Sequence, residues 1–542
     1  MAAPATDITG STQSTAAVDG DQMLVDAGEE LMEVVCEGTQ NYALVFGAIV
    51  IISLHALLAF GTLSGVLLDS TIRGNLGIPS DQVALGNSLV FFGWIPGAIL
   101  GGPLGDKFGR KFATIVSSLV ASAGLCATGL VPEGSGFAFL AAKAMTGVGI
   151  GGFIAPSFTL LVESNDPRKK GSASVTWTWG YVAGVAILCG LHYGLTENIG
   201  VGWRTEELVL GVWGLGFAWL TQLFVTESPP WLFASGRTLE AVESAQRIAK
   251  WNGVDLDEAF ERNVQLRRLR ESADACVLLE EDEAFMEAGR ANYDVSLKVV
   301  AADGTATTVT PLSQEERSLV DDACTALREE YSWQDLFSRE NLPLTLTFGA
   351  MEVAYNLAFY VIIFSAGKFS DQVLLNLVLL AAADLPGSTL SGALCDRVGS
   401  KNAALAFLAA ASVVLFAFAG FEGWVASAPS SFDPSGSLSL VPAALSLLGK
   451  SLCSGAFTAI FLLFNACYPV TLRSAALGSG NMFGKLGASL ASPLTASFSP
   501  LAVLSVSGCA LLVAAISATT LPERASDLSG EAPVTTEAQG GG

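Results

Sequence analysis

Four ionisable side chains stand where water is scarce. Lys485 interrupts the small, apolar stretch GNMFGKLGASLASP, Asp384 lies in ADLPGSTL, Glu352 in FGAMEVAYNL and His55 in IISLHALLAF. Charges in such surroundings are costly unless they are paired or used. A fixed cation suits a carboxylate that has shed its water, and a buried carboxylate or imidazole suits reversible proton carriage. Glu352, Tyr355, Asn356 and Phe359 recur at i, i+3, i+4, i+7, which places them on one helix face. That stripe reads as a ligand-lined wall or, equally well, as helix packing with interhelical hydrogen bonds. For Lys485 the residues leave open a ligand role, a Lys485–Asp384 pair that fixes helix packing, and a gate. For His55 a packed, hydrogen-bonded ring stands beside proton coupling.

These side chains need elements that carry them away from water. The chain has 542 residues, 51% hydrophobic and 15% charged, with a mean hydropathy of +0.51. That is too little charge to cover a soluble protein of this length. Apolar runs of about 20 residues, long enough to cross a hydrocarbon core about 30 Å thick, recur at 43–68, 83–103, 112–131, 136–162, 172–194, 206–225, 343–366, 372–395, 402–421, 440–465, 475–497 and 500–520. The expected fold is an all-α membrane protein. Twelve transmembrane helices form two six-helix pseudo-symmetric halves, an internal repeat of the transporter kind. The third, sixth, ninth and twelfth spans lack ionisable residues in their interiors, as peripheral helices around a central cavity would. Lys485 lies twelve residues beyond Arg473, and Asp384 twelve before Asp396. At about 1.5 Å per residue both sit roughly 18 Å into the membrane, near its midplane.

The chain parses into a disordered acidic N-terminal tail (1–41), a six-helix bundle (42–226), a cytoplasmic loop with partly helical and acidic segments (227–341), a second six-helix bundle (342–520) and a disordered tail (521–542). In the loop, 238–272 reads as helical and 273–330 as an insertion with a small hairpin around Asp303-Gly304. Lys and Arg concentrate in alternate short loops, which predicts an integral multi-pass protein with both termini cytoplasmic, in the plasma membrane or an intracellular one. The first 40 residues do not read as a secretory signal peptide. A net charge of −23 argues against nucleic acid and against a polybasic lipid-binding segment. Nine cysteines are scattered without a CxxC pair and read as small packing residues. No His-rich metal cluster, Gly-x-Ser-x-Gly elbow or P-loop occurs, so no enzyme activity, metal or cofactor is expected.

The loop GGPLGDKFGRKFA carries Gly105, Asp106, Gly109, Arg110 and Lys111, and LCDRVGSKNA in the second half carries Asp396, Arg397, Gly399 and Lys401. The glycines permit a tight turn, and the acid and bases can pair with each other and with helix ends. These two copies resemble the G-D-x-x-G-R-K/R signature of the major facilitator superfamily. KAMTGVGIGGFIAP resembles its span 4 motif, with Lys143 at the usual Arg. VESNDPRKKGSA, with Glu163 and Arg168, resembles the pattern that ends that helix, and TESPPWLFASGRTLEA the segment after span 6. WQDLFSRENL, ADLPGSTLSGALCDRVG, LLGKSLCSGAF and YPVTLRSAALG extend the resemblance over most of the membrane region. They resemble the organic-ion branch, above all its synaptic-vesicle-related and nicotinate-transporter-like members. Ala466 replaces the acid usual before Y-P, which puts a full charge latch in the second half in doubt.

This resemblance implies a secondary active or facilitative transporter of a small organic solute, working by alternating access, with proton or other ion coupling open. In this branch anion carriers often have a base at the position of Lys485, which implies an organic anion. An organic cation, a sugar or polyol, and a transporter-like solute sensor stay as alternatives. The implied substrate-binding residues are Lys485, Glu352, Tyr355, Asn356, Phe359 and Asp384. The proton candidates are Asp384, Glu352 and His55. Gly105, Asp106, Gly109, Arg110, Lys111, Asp396, Arg397, Glu163 and Arg168 form the cytoplasmic gate. Lys450 is expected to line the outer cavity, and Lys143 to meet a span 1 or substrate group. The expected partners are the solute, the lipid bilayer and a coupling ion, with a monomeric protein.

Overall fold

The computed structural model describes residues 31–37, 41–46, 50–61, 76, 80–256, 298–300, 306–308, 333–339, 341–365, 373–428 and 440–521. The tails, the middle of the central loop and the connection after the first span lie outside these residues. The chain separates into two compact units, one of residues 1–39 and 228–330, the other of 40–227 and 331–542.

The larger unit holds the membrane helices. In chain order they are α1 (Asn41–Phe46), α2 (Ile52–Gly61), α3 (Ser80–Phe108), α4 (Arg110–Gly129), α5 (Gly136–Glu163), α6 (Lys170–His192) and α7 (Trp203–Phe224) in the first half. In the smaller unit, α8 (Pro229–Ala234) and α9 (Thr238–Asn252) precede an antiparallel pair, β1 (Lys298–Val300) with β2 (Ala306–Thr308), in the register Val299 to Thr307. Asn252 Nδ2 donates to the Val35 carbonyl at 3.0 Å within this unit. The second half comprises α10 (Leu342–Ser365), α11 (Val373–Ala382), α12 (Asp384–Val398), α13 (Ser400–Ser427), α14 (Leu440–Cys467), α15 (Arg473–Ser497) and α16 (Pro500–Ala518).

Ten helices among the described residues are long and apolar enough to cross a membrane, against the twelve spans expected. The first span is described only as the short helix α2. The eleventh, α15, is 25 residues long, but Arg473, Asn481, Lys485 and its serines reduce its apolarity. The eighth is broken at Ala383, between α11 and α12. Pro386 explains the break, because its ring displaces the carbonyl of Ala382, four residues back. Asp384 therefore stands at a helix start.

The halves repeat their joints. Gly109 (φ 109°) separates α3 from α4, and Gly399 (φ 86°) separates α12 from α13. A side chain would strain either turn. Close approach recurs too. On α5, a Cβ at Gly147 would strike the Val90 carbonyl and one at Gly151 the Trp94 carbonyl of α3. On α14, a Cβ at Gly455 would come within 2.9 Å of the Gly387 carbonyl of α12, and Ser391 Oγ donates to the Gly455 carbonyl at 2.7 Å. Small residues let helices touch backbone to backbone, where dispersion and hydrogen bonds replace the missing hydrophobic drive.

Candidate functional site

The helix ends that carry the two motif copies meet the opposite half. Asp106, at the end of α3, accepts from Ser474 N–H at 3.2 Å and Ala475 N–H at 2.7 Å, the first turn of α15. Asp396, at the end of α12, accepts from Gly171 N–H at 2.7 Å and Ser172 N–H at 2.9 Å, the first turn of α6, and from the Ser172 hydroxyl. Each carboxylate thus caps the positive end of a helix in the other half. The lysines of the two copies match as well. Lys111 Nζ donates to the Gln222 carbonyl at 2.9 Å, and Lys401 Nζ to the Leu521 carbonyl at 2.5 Å.

The copies differ in what surrounds the caps. Arg110 is fully buried and meets Asp106 at 3.2 Å, Glu163 at 3.3 Å, the Gly105 carbonyl at 3.1 Å and the Val470 carbonyl at 2.5 Å. Arg473 adds a contact to Glu163 at 3.5 Å. Glu227 accepts from the Lys111 N–H at 3.1 Å. In the second copy, Ser400 follows the turn glycine where Arg110 follows Gly109, and Ala466 stands where an acid would answer Glu163. Arg397 is exposed, and Arg168 clasps Asp166 of its own loop at 3.0 and 3.2 Å. Burial raises the Asp166 carboxyl, but the Arg168 side chain and N–H outweigh it and hold the group below its ordinary value.

Deeper between the halves, the Lys485–Asp384 pair is not formed. Asp384 Oδ1 instead takes Lys450 Nζ at 2.5 Å. The close contact of α12 with α14 sets this pairing, and Lys450 also lies 4.6 Å from the centre of the Phe359 ring. Lys485 Nζ has no carboxylate within 4.0 Å among the described residues. It sits 3.9 Å from the centre of the Trp94 ring and 5.8 Å from that of Tyr360. Desolvated contacts of this kind are worth about 2 kcal/mol. Two buried donors near it, Trp94 Nε1 and Asn481 Nδ2, lack partners among the described residues. Gly478, Asn481 and Lys485, at i, i+3, i+7, share a helix face. A Cβ at Gly478 would strike the Ala98 carbonyl, so this face is the one turned to α3 and Trp94.

The stripe on α10 lies beside this cation. Asn356 Nδ2 donates to Glu352 Oε2 at 3.0 Å. Tyr355 contacts Phe359 at 6.2 Å and Phe457 at 5.8 Å between ring centres. Rings continue across the halves, with Tyr360 against Phe91 at 6.0 Å and Phe461 against Phe158 at 5.2 Å. Phe158 meets Trp177 at 5.3 Å, and Trp177 meets His55 at 4.4 Å. His55 Nδ1 bonds the Ile51 carbonyl at 2.8 Å, so the ring is packed. Lys143 lies on α5, where it is buried. It is paired with Glu207 at 2.9 Å inside the first half.

Trp94, Tyr360 and Asn481 are not among the residues expected from the sequence. A tryptophan in mid-span rather than at an interface, and an amide one turn before Lys485, were the available signals. Among the described residues no group of three His, Cys, Asp or Glu is placed to hold a metal.

The sequence profile of the Major Facilitator Superfamily matches residues 49–492. Similar curated proteins include organic cation/carnitine transporter 4 of Arabidopsis thaliana, 25% identical over 65% of this chain and 55% of its own length. Solute carrier family 22 member 6 of Bos taurus is 25% identical over 71% and 58%, and organic anion transporter 3 of Homo sapiens 23% over 73% and 62%. The chain thus spans less than two thirds of these relatives. Among solved structures, the proton:xylose symporter XylE bound to 6-bromo-6-deoxy-D-glucose has a TM-score of 0.61 at 14% identity, covering 90% of this chain and 98% of that one. The partially occluded inward-open form of XylE from E. coli has 0.51 at 15%, covering 88% and 98%. At these identities the likeness is one of fold.

Proposed function

The chain belongs to the Major Facilitator Superfamily, as an integral multi-pass membrane transporter, and from that premise we propose that it moves a small aromatic organic anion by alternating access. The observation that carries this reading is the buried Lys485 ammonium, held against Trp94 and Tyr360 with no carboxylate at ion-pair distance among the described residues. Asp384 is neutralised by Lys450, which leaves Lys485 as the cation open to a carboxylate ligand. Trp94 Nε1 and Asn481 Nδ2 are donors without acceptors among the described residues, and a buried unsatisfied donor costs about 1–3 kcal/mol. A carboxylate seated at Lys485 would answer all three. Trp94, Tyr360, Tyr355 and Phe359 supply faces for an aromatic body.

In this reading the motif end is cytoplasmic, and its caps hold that side shut. Bias of Lys and Arg toward those loops supports the orientation. An organic cation fits less well, because one of the two central carboxylates is already engaged. Uptake of benzoate, succinate, choline and sorbitol into proteoliposomes tests the reading. Benzoate should enter, and Lys485→Ala should lower its uptake at limiting concentration by about 10- to 100-fold, with partial recovery in Lys485→Arg. Equal benzoate uptake in all three proteins, or uptake of choline alone, would end it.

A further inference from the structure

Glu352 is buried on α10 with one oxygen bonded to Asn356 and the other, Oε1, without a hydrogen-bond partner among the described residues. An ionised carboxylate with a bare oxygen in such a place is unfavourable. Its neighbourhood offers little to hold the charge. From α15 it faces Lys485, which lies beyond ion-pair distance. From α14 come Lys450 and Cys453, on the Tyr355 side and with the lysine committed to Asp384. The third helix against it, α16, carries no charged residue, and Asp335 stands before the start of α10. A Cβ at Gly484 would lie 2.9 Å from Glu352 Oε2, so the carboxyl rests on the α15 backbone next to the residue that carries the cation.

Resting on the anion reading above, we propose that Glu352 carries a proton that is co-transported with each monocarboxylate. The central site holds two cations, Lys450 and Lys485, and two acids, Asp384 and Glu352. With both acids ionised the four charges cancel, and an entering anion would leave a net buried negative charge. When Glu352 takes up one proton from water, an O–H bond forms on the carboxylate and its charge becomes zero. The site is then one charge positive, and one monocarboxylate neutralises it. Release of the anion on the other side restores the attraction of Lys485 for an ionised Glu352, and the O–H bond breaks, returning the proton to water there. The cycle is electroneutral, one proton per anion. Asp384 is unsuited because its Oδ1 is already taken by Lys450 at 2.5 Å, and His55 because its ring is packed.

The test reads the proton without any solute. Infrared difference spectra of the purified full chain, titrated from about pH 5 to about pH 9, should show the carbonyl stretch of a protonated carboxylic acid. That band should vanish in Glu352→Gln, persist in Asp384→Asn, and move in Glu352→Asp, which keeps an acid if the amide folds poorly. In proteoliposomes with an inward proton gradient, wild type should concentrate benzoate, and Glu352→Gln should only equilibrate it whatever the gradient. A band that survives in Glu352→Gln, no band at any pH, or gradient-driven accumulation by that variant overturns the proposal. Should wild type ignore benzoate while the Glu352 band titrates, the anion reading fails and the proton site stands.

Discussion

Two lysines at similar depth have opposite energetics. Lys450 and Asp384 are a buried pair, 2% and 4% exposed, at 2.5 Å. Removing one partner of such a pair strands the other, typically at about 3–5 kcal/mol, whereas replacing both by apolar groups is often neutral. Asp384→Asn should therefore lower the thermal unfolding temperature in detergent clearly, and Asp384→Leu with Lys450→Met should recover most of it. Lys485 has no such partner among the described residues, and its burial is a standing cost. Lys485→Met should leave the unfolding temperature unchanged or raised while uptake is lost, and a fall as large as that of Asp384→Asn would refute a ligand role. Sequence depth alone ranks Asp384 as a partner for Lys485, since both lie twelve residues from a motif charge. It does not carry azimuth. The contact that turns Asp384 toward α14 depends on a proline break and on glycines of two helices distant in the chain.

Helices α3 and α5 show how an element holds one side chain. Gly151 lets α5 pass against the Trp94 carbonyl, and Trp94 Cδ1 is 2.7 Å from where its Cβ would be. Gly151→Ala should push α3 away, cost about 1–3 kcal/mol by overpacking, and weaken benzoate binding through Trp94. Gly216 on α7 has nothing within 4 Å of an added Cβ, so Gly216→Ala should be neutral or stabilising by up to about 1 kcal/mol. Thermal unfolding of the two variants separates the cases, and equal shifts would contradict the packing argument. This is also the scale at which the sequence is most legible. Long apolar runs mark helices because lipid forces backbone bonds inward, and the paired motifs mark the repeat. The shortfall in apolarity of α15 is the reverse case, since the helix that carries the cation reads as the weakest span. Partners across the interface, such as Trp94 beneath Lys485, are invisible because no local period encodes them.

At the scale of the whole molecule, the two halves share the caps and the lysines but not the ion network. Asp106 and Asp396 each cap a helix of the other half, and Lys111 and Lys401 each reach a backbone carbonyl, Gln222 in the last turn of α7 and Leu521 just past α16. Arg110, Glu163 and Arg473 join only the first cap. A carboxylate at a helix start contributes about 0.3–1 kcal/mol when exposed and up to about 2 kcal/mol when partly buried. In the alternating-access cycle proposed above both caps break together, so their sum would bias the closed state of this end. Asp106→Asn takes one acid from the buried Arg110 and leaves it Glu163, whereas Asp396→Asn removes a cap that has no ion pair among the described residues. Distances between spin labels at the exposed positions Phe108 and Val398 should show a longer component in both variants, and the double variant should approach the product of the single effects, since the caps hold different helix starts. Each 1.4 kcal/mol lost multiplies the open population by about ten. The asymmetry predicts the larger opening from Asp106→Asn. Equal opening would mean that the caps alone, and not the network around Arg110, set the gate.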